Sequence, residues 1–293
     1  MDQMPDLTKR MSIADILTWA VKLYKRDFWY YIKVVCVVFI PTVILSSAIV
    51  FIAGFPDLNG NFLELLWWLV VYYLTSGMIY LIGFMIAGAA SIKSIEGKLF
   101  GREMKIGEVL RETIRRIIPL FLTTLLIGLM SAFGLVMCFV AIIVLGLFLM
   151  FVPQAIMLDN RYYFKAIDTS FKLVTKSFLT VAVIAVTYVA LIGFISQFVT
   201  MIVYIVPLIE EIMKSIEGGG FNLPDYMNVL SPANSILLYV IQIALVAIVQ
   251  VFFFPLQNIS FTLCYYNMKN IQDGAELTQR IRALKTGNAN PKP

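Results

Sequence analysis

The uncharged stretch from Ile117 to Leu158 constrains the fold of this chain most strongly. It runs for 42 residues without an Asp, Glu, Lys or Arg side chain. A helix needs only about 20 apolar residues to cross a hydrocarbon core of about 30 Å. The stretch is therefore too long for one membrane-spanning helix and has the length of two helices in a hairpin. We place the break near Ser131 to Cys138, where Gly134 interrupts the run.

Further apolar runs predict four more spans. Hydrophobic residues make up 60% of the chain and charged residues 14%, whereas charged residues are about a quarter of soluble domains. The sequence therefore predicts an all-α polytopic membrane protein, with residues 1–280 forming one domain and residues 281–293 a flexible cytoplasmic tail. Its six transmembrane helices, arranged as three hairpins, are predicted at about 34–53, 65–90, 117–135, 138–158, 179–205 and 236–262.

The positions of the cations predict the topology. In this arrangement 22 of the 23 Lys and Arg residues precede the first span, follow the last or lie in the even-numbered loops, and only Lys214 lies on the other side. Cytoplasmic loops collect Lys and Arg, so both termini are predicted to be cytoplasmic.

A short segment recurs before the hairpins. Asp15–Phe28, "DILTWAVKLYKRDF", aligns without gaps on Lys165–Phe178, "KAIDTSFKLVTKSF", and Glu108–Ile117, "EVLRETIRRI", is a weaker third copy. Apolar residues recur in the first copy at helical spacing, and Ser12 with Asp15 forms a candidate capping pair. We therefore expect three amphipathic helices lying in the cytoplasmic interface, one before each hairpin.

The cations of these segments are candidates for contacts with lipid headgroups. Each basic residue near an anionic membrane surface contributes about 1 kcal/mol of attraction. Nucleic acid is a less suitable partner, because the cations lie beside predicted membrane spans. The eight residues, called the lipid-contact cations below, are Lys22, Lys25, Arg26, Arg111, Arg115, Arg116, Lys172 and Lys176.

The order of the motifs indicates a family. Together "ILTWAVKLYKRDFWYYI", "GEVLRETIRRIIPLF", "KAIDTSFKLVTKSF" and "CYYNMKNIQDG" resemble the six-span membrane domain associated with bacterial glycerophosphodiester phosphodiesterases, over roughly residues 11–280. The resemblance implies a bacterial or archaeal cytoplasmic (inner) membrane. In relatives that are enzymes, it implies that a separate soluble domain carries out the chemistry. We expect this chain to be a stand-alone member without that domain.

Amide side chains are the main polar groups within the predicted spans. Gln242, Gln250 and Gln257 share one face of the sixth span, Asn258 follows the last of them, and Gln154 follows a proline of the fourth span. We call these five residues the amide seam. It has two interpretations: hydrogen bonding between helices, or a path for a headgroup or peptide.

The reactive side chains in the sequence favour a binding function over a catalytic one. The chain has no His, and Cys36, Cys138 and Cys264 are far apart in or beside predicted spans. We expect no catalytic residues, cofactor or metal. The favoured function is a non-catalytic accessory or scaffold subunit of an envelope complex, whose partners are anionic membrane lipids and other membrane proteins. The alternative is a carrier or permease-like protein for a lipid or an amphipathic peptide.

Overall fold

The protein is built from α-helices. The structure, a computed structural model, describes Pro5 and residues 10–53, 62–137, 139–217 and 232–285. Across these residues it contains helices and connecting segments and no β-strand. The predicted all-α class is confirmed.

Ten helices lie within the described residues, and we number them α1 to α10. Their bounds are α1 Ile13–Arg26, α2 Phe28–Ala53, α3 Phe62–Leu99, α4 Ile106–Arg115, α5 Ile117–Met137, α6 Phe139–Leu149, α7 Val152–Asp159, α8 Phe164–Lys176, α9 Phe178–Glu217 and α10 Pro232–Lys285. The sequence predicts the break between the third and fourth spans near Ser131 to Cys138, but α5 continues as a helix through Gly134 to Met137. Cys138, between α5 and α6, lies outside the described residues. Helix α10 includes residues 281–285 of the predicted tail, and residues 286–293 lie outside the described part.

Several helices are long and apolar enough to cross a membrane, as a multi-pass membrane protein requires. Four stretches qualify on their own, namely Phe28–Ile49, Leu74–Leu99, Phe178–Val203 and Ala244–Ile271. Two bent pairs raise the number to six if each counts as one span, and they are Ile106–Arg115 with Ile117–Ser131 and Ile143–Asp159 with Phe164–Lys176. The described part of the chain therefore contains between four and six candidate spans.

The chain divides into two compact units. The first comprises the described residues of Met1–Tyr31, Gly88–Thr187 and Pro255–Pro293, and the second those of Ile32–Ala87 and Tyr188–Phe254. Helices α2, α3, α9 and α10 each contribute residues to both units.

The first unit packs short helices around buried apolar side chains. Helix α5 contacts α4, α6 and α7, and helix α8 contacts α6 and α7. The largest fully buried side chains of this unit include Tyr31, Ile95, Phe151, Met157 and Tyr265. Where helices pack in water and not in lipid, burial of such apolar side chains is the main source of stability.

The second unit is held together by an aromatic cluster. Val35, Phe39, Ala87 and Phe254 are buried against one another. The ring centroids of Phe39 and Phe254 lie 5.9 Å apart at an interplanar angle of 74°, the edge-to-face geometry that aromatic pairs favour. Close packing of helices in a membrane depends on such van der Waals contacts, because lipid supplies no hydrophobic driving force between helices.

Candidate functional site

Three short helices of the first unit carry seven of the eight lipid-contact cations, Arg116 directly follows one of these helices, and each helix has a buried face. Helix α1 buries Ile16, Ala20 and Leu23, α4 buries Val109 and Thr113, and α8 buries Ala166, Thr169, Ser170, Leu173 and Val174. The predicted Ser12 and Asp15 cap is confirmed, since the Asp15 N–H donates to Ser12 Oγ and the Ser12 N–H donates to Asp15 Oδ2. These bonds lower the pKa of Asp15.

Each of the three helices ends at a single non-helical residue, and a longer helix starts directly after it. The three break residues are Asp27, Arg116 and Ser177, with φ between −140° and −107° and ψ between 7° and 36°. The carbonyl of each accepts a hydrogen bond of 3.1 to 3.2 Å from the first turn of the next helix. At Arg116 the two helix axes diverge by 55°. Asp27 and Ser177 are equivalent in the sequence alignment of the repeats.

The lipid-contact cations differ in whether they already have an interaction partner within the protein. Seven are exposed, and Arg116 is half-buried. The Arg116 guanidinium donates to the Met157 carbonyl, so it has a structural partner. Lys172 pairs with Asp168 at 2.6 Å, Arg26 with Asp27 at 2.9 Å, and the Lys22 ammonium lies 4.8 Å from the centre of the Trp19 ring.

Four cations remain available for an external anion. Lys25, Arg111, Arg115 and Lys176 are exposed and form no ion pair within the part of the chain that the structure describes. Exposed charges without an internal partner break no ion pair of the protein when they bind an anion. These four are therefore the strongest candidates for lipid contacts.

The break at Asp27 is fixed by charges. Its carboxylate lies 2.9 Å from Arg26 Nε and 3.0 Å from Lys98 Nζ. The Lys98 ammonium also lies 4.9 Å from the centre of the Tyr30 ring, and the Tyr30 hydroxyl donates to the Met104 carbonyl at 2.9 Å. Burial raises the pKa of Asp27, but its hydrogen bonds to Arg26 and Lys98 outweigh burial, and the pKa is lowered.

A buried lysine joins α3 to α4. The Lys93 side chain is 9% exposed, and its ammonium lies 2.5 Å from Glu96 Oε2 and 3.3 Å from Glu112 Oε2. A buried ammonium requires such partners, because an unpaired charge away from water is strongly destabilising. Sequence reasoning did not single out this triad, although an i, i+3 pair of Lys93 and Glu96 is a visible helix signal.

The turn between α7 and α8 contains a second group that the sequence did not reveal. Asp159 accepts hydrogen bonds from the Tyr265 hydroxyl at 2.8 Å and from Lys269 Nζ at 2.7 Å. Asn160 and Tyr163 both have positive φ, at 53° and 52°. Asn tolerates this region, whereas for Tyr it is strained. The Tyr163 N–H donates to Thr123 Oγ1 at 3.2 Å, which helps to hold the strained residue.

A proline explains the break between α6 and α7. Pro153 has no N–H, so the helical bond to the Leu149 carbonyl cannot form. Ser170 of α8 takes part in the repair, because its hydroxyl accepts from the Phe151 N–H at 3.1 Å and donates to the Phe148 carbonyl at 2.6 Å. The Ser170 hydroxyl therefore links the Phe148 carbonyl of α6 to the Phe151 N–H at the break.

The amide seam is distributed over both units. Gln154, Gln257 and Asn258 belong to the first unit, and Gln242 and Gln250 to the second. Gln250 Oε1 accepts from the Tyr80 hydroxyl at 2.5 Å, and Gln242 Nε2 donates to Thr200 Oγ1 at 3.4 Å. These contacts join helices.

Gln154 and Asn258 are buried, and Gln257 is half-buried. Gln154 is only 2% exposed, and its Oε1 has no hydrogen-bond partner among the described residues. A buried acceptor without a partner costs about 1 to 3 kcal/mol, so the hydrogen bonding of Gln154 within the described residues is incomplete.

A cavity of about 420 Å³ opens beside the start of α1. Its walls come from the first unit alone, and they are Arg10, Met11, Ser12, Ile13, Ser177, Thr180, Asn267, Met268 and Ile271. No sequence pattern predicts this cavity, because its walls come from three distant stretches of the chain. Among the described residues, no group of three or more His, Cys, Asp or Glu side chains is placed to hold a metal ion.

Comparison of the chain with protein-family models, with curated proteins and with solved structures gave no match. The function is therefore inferred from the residues and their geometry.

Proposed function

We propose that this protein is a non-catalytic accessory or scaffold subunit of an envelope complex in a bacterial or archaeal cytoplasmic membrane, and that it binds anionic lipid. In this proposal six spans form three hairpins, each preceded by an amphipathic helix in the cytoplasmic interface, and both termini are cytoplasmic. The resemblance to the membrane domain associated with glycerophosphodiester phosphodiesterases is part of the proposal. Other membrane proteins are the expected partners.

The observation that carries the proposal is the recurring arrangement of the three basic helices. Helices α1, α4 and α8 each bury one face, expose cations and end at a single break residue before a longer apolar helix. A helix with an apolar face and a basic face is suited to the boundary between headgroups and acyl chains. The partition of 22 cations to one side of the predicted spans supports the same orientation.

Charges without a partner inside the protein supply the attraction to the anionic surface. Lys25, Arg111 and Arg115 are exposed, and each should contribute about 1 kcal/mol of attraction to an anionic surface. Arg116 is a poorer test residue, because it also donates to the Met157 carbonyl. Lys176 is left out of the test variant, because the next residue, Ser177, lines the cavity beside α1.

The test measures the lipid that stays with the purified protein. The protein is extracted from membranes containing equal phosphatidylglycerol and phosphatidylcholine, and the ratio of the two retained lipids is determined at low and high salt. The triple variant Lys25→Gln, Arg111→Gln, Arg115→Gln should lower the phosphatidylglycerol share several-fold, and the difference should shrink at high salt because salt screens exposed charges.

A control variant changes the charge of the protein in the opposite direction. Glu103 is exposed in the segment between α3 and α4, and Glu103→Gln removes one negative charge. It should raise the phosphatidylglycerol share slightly. An unchanged lipid ratio in the triple variant at both salt concentrations would contradict lipid binding through these residues.

The carrier function is the alternative, and Gln154 is the observation that favours it. Its unpartnered Oε1 is the kind of group that a polar substrate would satisfy. The bonds of Gln250 to Tyr80 and of Gln242 to Thr200 favour a structural role for these two members of the seam. In liposomes the protein should neither hydrolyse glycerophosphodiesters nor move lipids between leaflets. Lipid flux that is present in the wild type and lost in Gln154→Leu would establish the carrier instead.

A further inference from the structure

The cavity beside α1 has the composition of a site for a phosphate group attached to an apolar body. Arg10 supplies a cation, and Ser177 and Thr180 supply hydroxyls. Ile13, Met268 and Ile271 make part of its wall apolar. A volume of about 420 Å³ lies within the range of about 300 to 1,000 Å³ typical of small-molecule sites.

The hydroxyls in the cavity wall differ in whether they are available to a ligand. Ser12 is committed, because its hydroxyl donates to Asp15 Oδ2 at 2.7 Å and accepts from the Asp15 N–H at 3.2 Å. Ser177 and Thr180 are half-buried, and their hydroxyls form no hydrogen bond within the described residues. Hydroxyls in helices often donate to the carbonyl four residues earlier, as Thr187 does at 2.7 Å. Two donors therefore remain unused in one wall of the cavity.

Another part of the cavity wall is held in place by a buried amide. Asn267 is 4% exposed, its Oδ1 accepts from the Met11 N–H at 2.9 Å, and its Nδ2 donates to the Met11 carbonyl at 3.2 Å. This pair of bonds fixes the backbone next to Arg10. A fixed wall lowers the ordering cost that a ligand would otherwise meet on binding.

Arginine is suited to phosphate in particular. Its planar guanidinium can donate two parallel hydrogen bonds to phosphate oxygens, and such charge-assisted bonds are about twice as strong as neutral ones. Asp15, the first acid after Arg10 in the sequence, accepts from the Ser12 N–H and from the Ser12 hydroxyl. It forms no ion pair with any residue that the structure describes. Asp15 does not line the cavity, and Arg10 is the one charged residue that does among the described residues.

We propose that this cavity binds a phosphate ester, with Arg10 and the hydroxyls of Ser177 and Thr180 holding the phosphate and the apolar wall holding the adjoining carbon chain. The identification of the ligand as a membrane lipid rests on the proposed function, because Ser177 is the break residue that would lie at headgroup level. A soluble phosphate is the other source of the same chemistry.

The experiment measures one-site binding by native mass spectrometry of the full chain in detergent. Three probes separate the sources: short-chain phosphatidylglycerol, the matching diacylglycerol without phosphate, and inorganic phosphate. We expect saturable binding of one phosphatidylglycerol and none of diacylglycerol at the same concentration. Binding of inorganic phosphate with similar affinity would assign the site to a soluble ligand, and its absence would assign the site to lipid.

The variants identify the contacts. Arg10→Gln should raise the dissociation constant for the bound probe about tenfold, and Ser177→Ala with Thr180→Val should raise it several-fold. The matched control is Arg102→Gln, which removes an exposed cation of the first unit away from the cavity and should leave the constant unchanged. Equal affinities of wild type and Arg10→Gln, or equal losses in Arg10→Gln and Arg102→Gln, would overturn the proposal.

A further variant separates this proposal from the proposed function. Arg111→Gln with Arg115→Gln should lower the retained phosphatidylglycerol share without changing one-site binding, because neither residue lines the cavity. If one-site binding persists but the retained phosphatidylglycerol share does not change in the Arg111 and Arg115 variant, only the proposed binding of lipid by the basic helices is refuted. Loss of Arg10 dependence with a normal lipid share would refute only the cavity.

Discussion

The Tyr265 hydroxyl donates a hydrogen bond to Asp159 Oδ2 across 2.8 Å, and this bond joins the end of α7 to α10 within the first unit. Lys269, one turn further along α10, reaches the other oxygen of the same carboxylate at 2.7 Å. The two contacts hold the turn that contains the positive-φ residues Asn160 and Tyr163. Strain of this kind persists only where the surroundings enforce it.

The first prediction follows from this bond. Tyr265→Phe should destabilise the protein by about 1 to 2 kcal/mol, because hydrogen bonds to charged groups contribute more than neutral ones. The loss should appear as a lower midpoint of thermal unfolding in detergent. Tyr266→Phe is the matched control, since its hydroxyl forms no hydrogen bond within the described residues, and it should change the midpoint little. Equal effects of the two variants would show that the bond contributes nothing.

The second prediction concerns the contact between α2 and α3 in the second unit. A Cβ at Gly83 would lie 2.8 Å from Thr42 Cβ and closer still to the outer atoms of that side chain, so Gly83→Ala should force the helices apart. Gly77 lies on the same helix with no atom within 4 Å of the equivalent Cβ position, so Gly77→Ala is the control.

We expect Gly83→Ala to cost about 1 to 3 kcal/mol, as overpacked cores do, and Gly77→Ala to be neutral or slightly stabilising. Thermal unfolding of the two variants side by side measures the difference. Adding Thr42→Ala should recover part of the loss, because it removes the atoms nearest to the new methyl group. An unaffected Gly83→Ala variant would disprove the close approach.

The third prediction concerns pH. The pKa of Asp27 is lowered in the folded protein, so the stability from its contacts with Arg26 and Lys98 is present above the unfolded pKa of about 3.9 and is lost as pH falls through the folded value. Asp27→Asn should therefore lower the unfolding midpoint at pH 7, and the gap to wild type should close below about pH 4.

The control for this pH experiment is Asp168→Asn. Asp168 and Lys172 form an exposed i, i+4 pair with side chains 57% and 61% exposed, and such pairs contribute only about 0.3 to 0.5 kcal/mol. Its unfolding midpoint should stay close to that of wild type at every pH. A gap for Asp27→Asn that stays constant from pH 7 to pH 3 would refute the charge-based account of this break.

Local patterns predicted the parts of the structure that depend on neighbouring residues. Apolar run length and composition gave the all-α class, and spacing gave the Ser12 and Asp15 cap, because these features are set within a few helical turns. The alignment of Asp15–Phe28 with Lys165–Phe178 also paired the break residues Asp27 and Ser177, which the structure shows in similar backbone conformations.

Contacts between distant segments could not be predicted in this way. Tyr265 and Asp159 are 106 residues apart, and Asn267 and Met11 are 256 apart, so no periodicity relates them. The use of Arg116 as a donor to the Met157 carbonyl depends on how α5 packs against α7. Hydrophobic patterning fixes which face of a helix is buried, but it does not determine which polar groups meet there.

The central claim is that the basic helices lie together on the cytoplasmic side of the membrane. Single cysteines at Glu103 and Asn59, in a chain whose Cys36, Cys138 and Cys264 are replaced by Ala, test it with a membrane-impermeant maleimide. In sealed cells Asn59→Cys should be labelled, and Glu103→Cys should be labelled only after permeabilisation, because Glu103 lies between Leu99 of α3 and Ile106 of α4 on the predicted inner side. Labelling of Glu103→Cys in sealed cells would contradict the account.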